Sequence, residues 1–297
     1  MSPRAPARLR VRLAHPKILV APGAADALTA RLIERAGFEA VYFSGAGFSY
    51  THLAAPDLGL VGLPEMVWRA ATICAATTLP VIADADTGYG NALAIPRTVR
   101  EFERAGVAAI QLEDQVAPKR CGHLAGKRVI SAAEMVGKIK AAVDSRRDPD
   151  FMIIARTDAR ATDGLDAAIE RAGRYHDAGA DVLFVEAPES DDELAAIPRR
   201  LPQPVMANMV EGGRTPMHAA ADLQAMGYRL VIFPGAAVRA AAGAITRMLD
   251  ALTRDGTTAA VAGEMLTFTE LNAVLDLSGF QRWEARYLPG EGEEGRR

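Results

Sequence analysis

The sequence has little of what marks secreted, membrane-spanning or nucleic-acid-binding proteins. Its 297 residues include two cysteines, Cys74 and Cys121, too few for a disulfide scaffold, so we expect a cytoplasmic protein. No apolar run approaches the ~20 residues that a membrane-spanning helix needs. With 34 basic and 37 acidic side chains the net charge is −3, so we expect neither nucleic acid nor a membrane as partner.

What the sequence does contain is a series of eight short, nearly continuous apolar runs, each followed by polar residues or glycine. They begin at Ile18, Ala40, Pro80, Ala108, Phe151, Val182, Pro204 and Leu230. Runs of this kind are typical of parallel strands covered on both faces. The intervals between them carry helical spacing, as in Leu93–Ala105, Ala132–Val143, Leu165–Ala178 and Asp191–Leu201. Eight such units predict an α/β fold, a (β/α)₈ TIM-type barrel; a doubly wound sheet would favour a GxGxxG turn, which is absent after the first run.

We predict one barrel domain over residues 1–297. Residues 1–15 are rich in arginine and are expected to form a flexible tail, with a short organelle transit peptide as the alternative. Residues 240–290 contain apolar clusters that predict the last barrel helix and additional C-terminal helices, which would pack on a partner subunit.

Polar or ionisable residues follow six consecutive runs, the second to the seventh. They are Ser44, Asp84, Asp86, Glu113, Asp114, Arg156, Asp158, Glu186, Asn208 and Glu211. The carboxyl ends of barrel strands are where active sites of this fold lie, so we expect these side chains to share a site. The alternative is that they cap helices or contact solvent, and for Asp158 we prefer that alternative.

Asp84 and Asp86 are the sharpest acidic feature. Residues two apart on a strand point to the same side, and two close carboxylates are unfavourable without a cation nearby. Oxygen ligands with room for water suit Mg²⁺, with Mn²⁺ as a substitute. We therefore predict a metal site at Asp84 and Asp86, completed by Glu113 directly or through water.

A second feature is the segment KRCGH (Lys119–His123), which follows the fourth run. Cationic neighbours lower the pKa of a thiol, so Cys121 is a candidate thiolate or proton-transfer residue. The alternative is an exposed basic loop with an incidental cysteine. Gly122 and Gly126 indicate a loop that can open and close.

Several motifs, in this order, resemble those of the isocitrate lyase and phosphoenolpyruvate mutase superfamily. They are YFSGAG, PDLG, DADTGYGN, LEDQ, KRCGH, ARTDA, EAP and ANMVEGGRTP, between about Pro22 and Leu288. The sequence is most similar to the short branch of 2-methylisocitrate and 2,3-dimethylmalate lyases, and the cysteine in KRCGH argues against phosphorus–carbon mutases.

The resemblance implies an Mg²⁺-dependent carbon–carbon lyase that cleaves a small 2-hydroxy di- or tricarboxylate. The main prediction is a 2-methylisocitrate-type substrate, giving pyruvate and succinate. The alternatives are 2,3-dimethylmalate, giving pyruvate and propionate, and less favoured phosphonopyruvate-type or carboxyphosphonoenolpyruvate chemistry or oxaloacetate decarboxylation. A non-catalytic barrel that binds a dicarboxylate is the alternative outside enzymes. The resemblance also implies a homotetramer whose C-terminal helix is exchanged between neighbours.

Roles for individual residues also come from the resemblance. The carboxylate that leaves in pyruvate would be bound by Ser44, Gly45 and Ala46, supported by Asp57, and Cys121 would protonate the carbanion. Arg156 would stabilise developing charge, and Lys119, Arg120 and His123 would shape the loop and its protonation. Glu113 would surround the metal held near Asp84 and Asp86, and Tyr42 would be a partner for the hydroxyl proton. Gly122 would add a backbone donor, and Glu186 and Asn208 would contact the second product.

The sequence departs from methylisocitrate lyases at one expected cation. Those enzymes are similar to one another in two further arginines toward the C-terminus. Arg239 matches the first, whereas Phe268 stands at the second. The loss of one positive charge favours a smaller or more apolar substituent over a third carboxylate.

Overall fold

The computed structural model describes residues 3–202 and 204–288, and the chain divides into two compact units, Met1–Ala240 and Ala241–Arg297. The first unit contains a closed barrel of eight parallel strands in sequence order, with β1 paired to β8. The strands are β1 (Leu19–Ala24), β2 (Val41–Phe43), β3 (Val81–Asp84), β4 (Ala109–Glu113), β5 (Met152–Thr157), β6 (Val182–Val185), β7 (Val205–Asn208) and β8 (Leu230–Phe233). The predicted (β/α)₈ barrel is confirmed. The prediction of a single domain over 1–297 stays a prediction.

One helix precedes the first strand, others connect consecutive strands, and one follows the last strand. They are α1 (Ala5–Ala14), α2 (Ala27–Arg35), α3 (Gly45–Leu53), α4 (Leu63–Ala76), α5 (Ile95–Ala105), α6 (Ala132–Ser145), α7 (Arg160–Asp163), α8 (Leu165–Asp177), α9 (Asp191–Arg200), α10 (Ala220–Met226) and α11 (Ala236–Asp255). Helix α5 illustrates why these segments are helical. Its residues Val99 and Phe102 lie on one apolar face and are buried, and Gly106 ends the helix in a left-handed conformation.

The prediction of a flexible tail over residues 1–15 was wrong for Ala5–Ala14, which form helix α1. Leu9 and Leu13, one helical turn apart, are buried in the same apolar cluster as Leu19 and Met152 at the beginnings of β1 and β5. Burial of two leucines contributes roughly 3–6 kcal/mol to folding, enough to order a short helix. The arginines of this segment lie on the other faces of the helix. Because they are so numerous, the sequence did not indicate an amphipathic helix with two buried leucines.

Strand register positions the polar strand ends side by side. Asp84 at the end of β3 pairs with Gln111 of β4, and Glu113 at the end of β4 pairs with Arg156 of β5. Because all eight strands run in the same direction, their carboxyl ends meet at one mouth of the barrel.

The second unit is helical, as predicted for residues 240–290, of which 289 and 290 lie outside the described part. Beyond the end of α11 it contains a 3₁₀-helix (Ala259–Glu264), α12 (Phe268–Val274) and α13 (Leu277–Tyr287). Large apolar side chains of this unit are exposed, including Phe268 and Trp283. Among residues 3–202 and 204–288, no helix combines the length and apolar character needed to cross a bilayer.

Candidate active site

Four buried carboxylates lie at the mouth of the barrel. They form the acidic cluster: Asp57, Asp84, Asp86 and Glu113. Lys119 enters this cluster, with its Nζ atom 2.6 Å from Oδ1 of Asp57 and 2.8 Å from Oδ1 of Asp86. The Oδ1 atom of Asp84 accepts a hydrogen bond from the backbone N–H of Asp86 at 3.0 Å. Residues on β3 and β4 and in three separate loops thus meet at one point.

The acidic cluster holds more negative charge than its neighbours balance. Glu113 is fully buried, and neither of its carboxyl oxygens has a hydrogen-bond partner among the described residues; its nearest cation is Nη1 of Arg156 at 3.3 Å. Burial raises the pKa of Glu113 well above its usual range. Burial and the neighbouring Asp86 likewise raise the pKa of Asp84 to about 6. The arrangement therefore has room for further positive charge.

This surplus of oxygen ligands fits a divalent cation. Within residues 3–202 and 204–288, no three His, Cys, Asp or Glu side chains converge as a complete ligand set. Mg²⁺ does not need such a set, because it usually binds one or two carboxylates and keeps several waters. Asp84, which faces the cleft, and Asp86 beside it could hold such an ion, with Glu113 behind them.

Arg156 is the central cation of the site. Its Nε atom donates to Oδ2 of Asp158 at 2.9 Å and its Nη2 atom to Oδ1 at 3.0 Å. Its Nη1 atom lies 3.3 Å from Glu113 and 3.2 Å from Oε2 of Glu186. The guanidinium group is thus fixed by three carboxylates on three strand ends.

The preferred interpretation of Asp158 as a helix cap or solvated residue was wrong. Its side chain is fully buried and holds both Arg156 and the ammonium group of Lys127, 2.9 Å away. Burial alone would raise the pKa of Asp158, but the two cations lower it to about 2. Lys127 was not among the predicted site residues, because no local motif marks it as buried.

Cys121 lies in the loop between β4 and α6 (residues 114–131), here called the Cys121 loop. Its backbone N–H donates to the carbonyl oxygen of Asp57 at 3.1 Å, and its thiol is about half-buried against the cleft. Burial raises the pKa of this thiol, contrary to the predicted lowering. The negative charges of Asp57 and Glu186 raise it further, and Lys119, the cation two residues away, contacts the acidic cluster. Cys121 is therefore a protonated thiol near neutral pH.

His123 is the second titratable group of the loop. Its Nδ1 atom accepts a hydrogen bond from the backbone N–H of Arg214 at 3.0 Å, so the neutral ring carries its hydrogen on Nε2. That atom lies 3.5 Å from Oε1 of Glu186. Burial lowers the pKa of His123, which keeps the ring neutral, and its buried Nε2 atom has no hydrogen-bond partner among the described residues.

Glu186 and Asn208, at the ends of β6 and β7, form one polar pair. The Nδ2 atom of Asn208 donates to Oε2 of Glu186 at 3.1 Å. Gly122 packs directly on this pair, since a Cβ atom there would lie 2.5 Å from Cγ of Glu186 and 2.5 Å from Nη2 of Arg156. The closed loop thus requires glycine at this position.

The start of α3 provides backbone donors. Ser44 caps the helix by accepting a hydrogen bond from the N–H of Gly47 at 3.1 Å. Gly45 and Ala46 are the first helical residues, and N–H groups in that position have no partner within the helix, which suits a carboxylate. A Cβ atom on Gly45 would come within 2.9 Å of Oδ2 of Asp84. Glycine therefore lets this donor lie next to the acidic cluster.

Two more predicted residues, Tyr42 and Arg239, lie at the same end of the barrel. The hydroxyl group of Tyr42 donates to Oε1 of Gln111 at 3.0 Å, and burial and the charge of Asp84 raise its pKa well above 10, so it keeps its proton. Arg239, at the start of α11, is half-exposed and donates to the carbonyl oxygen of Glu211.

A single cleft joins most of the predicted residues. Its lining includes Tyr42, Ser44, Ala46, Asp57, Asp84, Cys121, Gly122, His123, Arg156, Glu186, Asn208 and Arg239. Lys119, Asp86 and Glu113 are buried beside it. Apolar side chains that were not among the predicted residues also line the cleft: Tyr50, Val210 and Ile232. Their positions depend on how α3 and the strand ends face each other, and no motif marks them.

Comparison with known proteins places this geometry in a family. The model of a family described as phosphoenolpyruvate phosphomutase matches residues 9–253. The chain belongs to that family. It is 52% identical over 284 residues to 2,3-dimethylmalate lyase of Eubacterium barkeri, covering 96% of this chain and 98% of that protein. It is 46% identical over 278 residues to 2-methylisocitrate lyase of Aeropyrum pernix, covering 94% and 88% of the two chains.

Solved structures similar to this chain support the same family assignment. A crystal structure of 2,3-dimethylmalate lyase superposes with a TM-score of 0.91 at 38% identity and covers 100% of both chains. A complex of phosphonopyruvate hydrolase with oxalate and Mg²⁺ has a TM-score of 0.88 at 31% identity, covering 97% and 100%. The predicted superfamily and the prediction of a carbon–carbon lyase are confirmed.

Proposed function

We propose that the protein uses Mg²⁺, with Mn²⁺ as a substitute, to cleave a substituted malate of the 2,3-dimethylmalate type into pyruvate and propionate. The observation that carries this proposal is the partly buried thiol of Cys121, whose pKa burial raises and which shares one cleft with a fixed guanidinium group and a helix start. A general acid beside a cation is what a carbon–carbon lyase needs in order to discharge a carbanion.

One end of the substrate is bound by backbone donors. The N–H groups of Gly45 and Ala46 point out from the start of α3, and their partial positive charge suits the carboxylate that leaves in pyruvate. When bound at Asp84 and Asp86, Mg²⁺ supplies Lewis-acid polarisation of the adjacent hydroxyl and carboxylate oxygens. Lys119 holds Asp57 and Asp86 in place beside that end of the cleft.

The reaction moves one proton from oxygen to carbon. A carboxylate of the acidic cluster accepts the hydroxyl proton, the C2–C3 bond breaks, and its electron pair passes to C3, where the thiol of Cys121 donates its proton. The carboxylate then releases its proton to solvent and the Cys121 thiolate regains one, so the net change is one proton from oxygen to carbon. Arg156, held rigidly by Asp158, stabilises the negative charge that develops. Glu186 and Asn208, with Nε2–H of His123 oriented toward them, form the side of the cleft that we assign to propionate.

The charge of the cleft favours a dicarboxylate. Arg156 already contacts three carboxylates of the protein, which leaves Arg239 as the guanidinium group best able to bind a substrate carboxylate among the described lining residues. The apolar side chains of Val210 and Ile232 suit methyl substituents. The second candidate is 2-methylisocitrate, because the relative from Aeropyrum pernix acts on that compound by name.

We also propose a homotetramer in the cytoplasm, with the C-terminal helix exchanged between neighbours. The exposed apolar side chains of α12 and α13, such as Phe268, Phe280 and Trp283, support an apolar contact with another copy. Light scattering of the purified chain at several concentrations tests this proposal, and a monomer at micromolar concentration would contradict it.

The activity is tested by following pyruvate release with coupled lactate dehydrogenase. Purified protein is given 2,3-dimethylmalate, 2-methylisocitrate or phosphonopyruvate, each with Mg²⁺ and with EDTA. We expect kcat/KM to be highest for 2,3-dimethylmalate and to vanish with EDTA. A preference for 2-methylisocitrate would establish the second candidate. Pyruvate from phosphonopyruvate alone would contradict the lyase, and turnover of none of the three would favour a binding protein.

A further inference from the structure

Lys127 is a buried lysine that the proposed reaction does not use. Its ammonium group lies 2.9 Å from Oδ1 of Asp158 and donates to the carbonyl oxygen of Gly122. Only a few per cent of its side chain is exposed, so the charge is kept inside the protein by these two partners. They belong to different segments, since Asp158 follows β5 and Gly122 lies at the tip of the Cys121 loop.

The Asp158 side of this contact leads to the reacting cation. Both carboxyl oxygens of Asp158 accept hydrogen bonds from Arg156, and Oδ1 is shared between Arg156 and Lys127. Asp158 itself is fixed, because its backbone N–H donates to Oδ1 of Asp114 at 2.9 Å, and Tyr175 donates to the other oxygen of Asp114 at 2.7 Å. The anchor for Lys127 is therefore rigid.

The Gly122 side leads to the proton donor. Gly122 follows Cys121 directly and packs without space for a Cβ atom against Arg156 and Glu186. The tip has further tethers: the N–H of Cys121 donates to the carbonyl oxygen of Asp57, and Arg214 donates to Nδ1 and to the carbonyl oxygen of His123. The bond from Lys127 to the Gly122 carbonyl is the tether at this tip that carries a charge and leads to the strand end at Asp158.

We propose that Lys127 is a positioning residue that latches the Cys121 loop onto Asp158, so that the thiol of Cys121 and the guanidinium group of Arg156 are held together in one closed arrangement. The catalytic consequence of this closed arrangement rests on the proposed function. The latch itself is a property of the fold and can be measured without substrate.

The substrate-free test is the rate of alkylation of Cys121 by iodoacetamide, read by peptide mass spectrometry. The protein contains one other cysteine, Cys74, whose pKa burial raises to about 12 and which lies in α4. Cys74 therefore reports general unfolding within the same molecule. The variants are Lys127→Met, which keeps the length and removes the charge, and Lys127→Arg, which keeps the charge. The matched control is Lys140→Met, the same change on the exposed face of α6.

We expect Lys127→Met to raise the alkylation rate of Cys121 about tenfold or more, the range expected for loss of a charged hydrogen bond, with Cys74 unchanged. Loss of a nearby cation would by itself raise the thiol pKa and slow alkylation, so an increase reports opening of the loop. Lys127→Arg should lie closer to the wild type than Lys127→Met, and Lys140→Met should equal the wild type. An unchanged rate at Cys121, or a parallel rise at Cys74, would overturn the proposal.

Turnover gives the second reading. With the preferred substrate, Lys127→Met should lower kcat about 10- to 100-fold with a smaller change in KM, and Lys127→Arg should restore part of it. A normal kcat in Lys127→Met would overturn the latch as a positioning device. If the wild-type enzyme turns over none of the tested substrates, the proposed function fails while the alkylation result still decides the latch.

Discussion

Replacement of Gly122 by alanine isolates the closed position of the Cys121 loop. The backbone of Gly122 does not occupy the left-handed region, so alanine carries no conformational penalty there. The added Cβ atom would lie 2.5 Å from Nη2 of Arg156 and 2.5 Å from Cγ of Glu186, whereas ordinary contacts are about 3.5–4 Å. Something must move by about 1 Å.

The loop is the part that moves. Arg156 is fixed by two hydrogen bonds to Asp158, and Glu186 accepts hydrogen bonds from the N–H of Ala187 and from Asn208. A displacement of about 1 Å at a reacting group costs on the order of 100-fold in rate. We therefore expect Gly122→Ala to lower kcat about 100-fold, while the melting temperature changes by no more than a few degrees, because the loop contributes little to the core.

Pyruvate release measures kcat, and differential scanning fluorimetry measures the melting temperature. The matched control is Gly137→Ala in the middle of α6, where no atom lies within 4 Å of the added Cβ. That variant should keep wild-type kcat and gain up to about 1 kcal/mol of stability from higher helix propensity. A Gly122→Ala enzyme with kcat within twofold of the wild type would refute the closed arrangement.

Three further variants test the acid, the metal and the buried ion pair. Cys121→Ser should keep KM within a few-fold and lose about 10²–10⁴ in kcat, since a hydroxyl is a poor acid at this position; near-normal turnover would exclude the thiol from the reaction. Asp84→Asn should abolish both turnover and the increase in melting temperature that Mg²⁺ gives the wild type, and a persistent increase would place the ion elsewhere. Asp158 has a pKa of about 2 in the folded chain against an ordinary 3.8, so its contribution of roughly 2 kcal/mol is complete above about pH 4 and is lost as the pH falls toward 2. Urea unfolding of Asp158→Asn should therefore vary less steeply with pH in that range than unfolding of the wild type, and parallel curves would contradict the assignment.

Local patterns were enough for the barrel and for much of the site. Eight apolar runs with helical intervals correspond to eight strands, because a strand that is buried on both faces consists almost entirely of apolar residues. Asp84 and Asp86 were predicted together and lie close to each other, but the predicted reason was wrong: β3 ends at Asp84 and Asp86 has a left-handed backbone, so a turn brings them together instead of strand alternation. The motifs also placed Glu186 and Asn208, as polar residues that follow buried runs must find partners.

The sequence by itself therefore determined the barrel, the ring of polar strand ends and the family. Only the tertiary structure decided the protonation of the site residues and the ion pairs that hold them in place. Burial raises the pKa of the Cys121 thiol, while Lys119, two residues away, pairs with Asp57 and Asp86 from other loops. Asp158 and Lys127 are ion-paired across 31 positions. Burial and Coulomb interactions depend on which groups meet in space, and neighbouring residues in the chain do not report them.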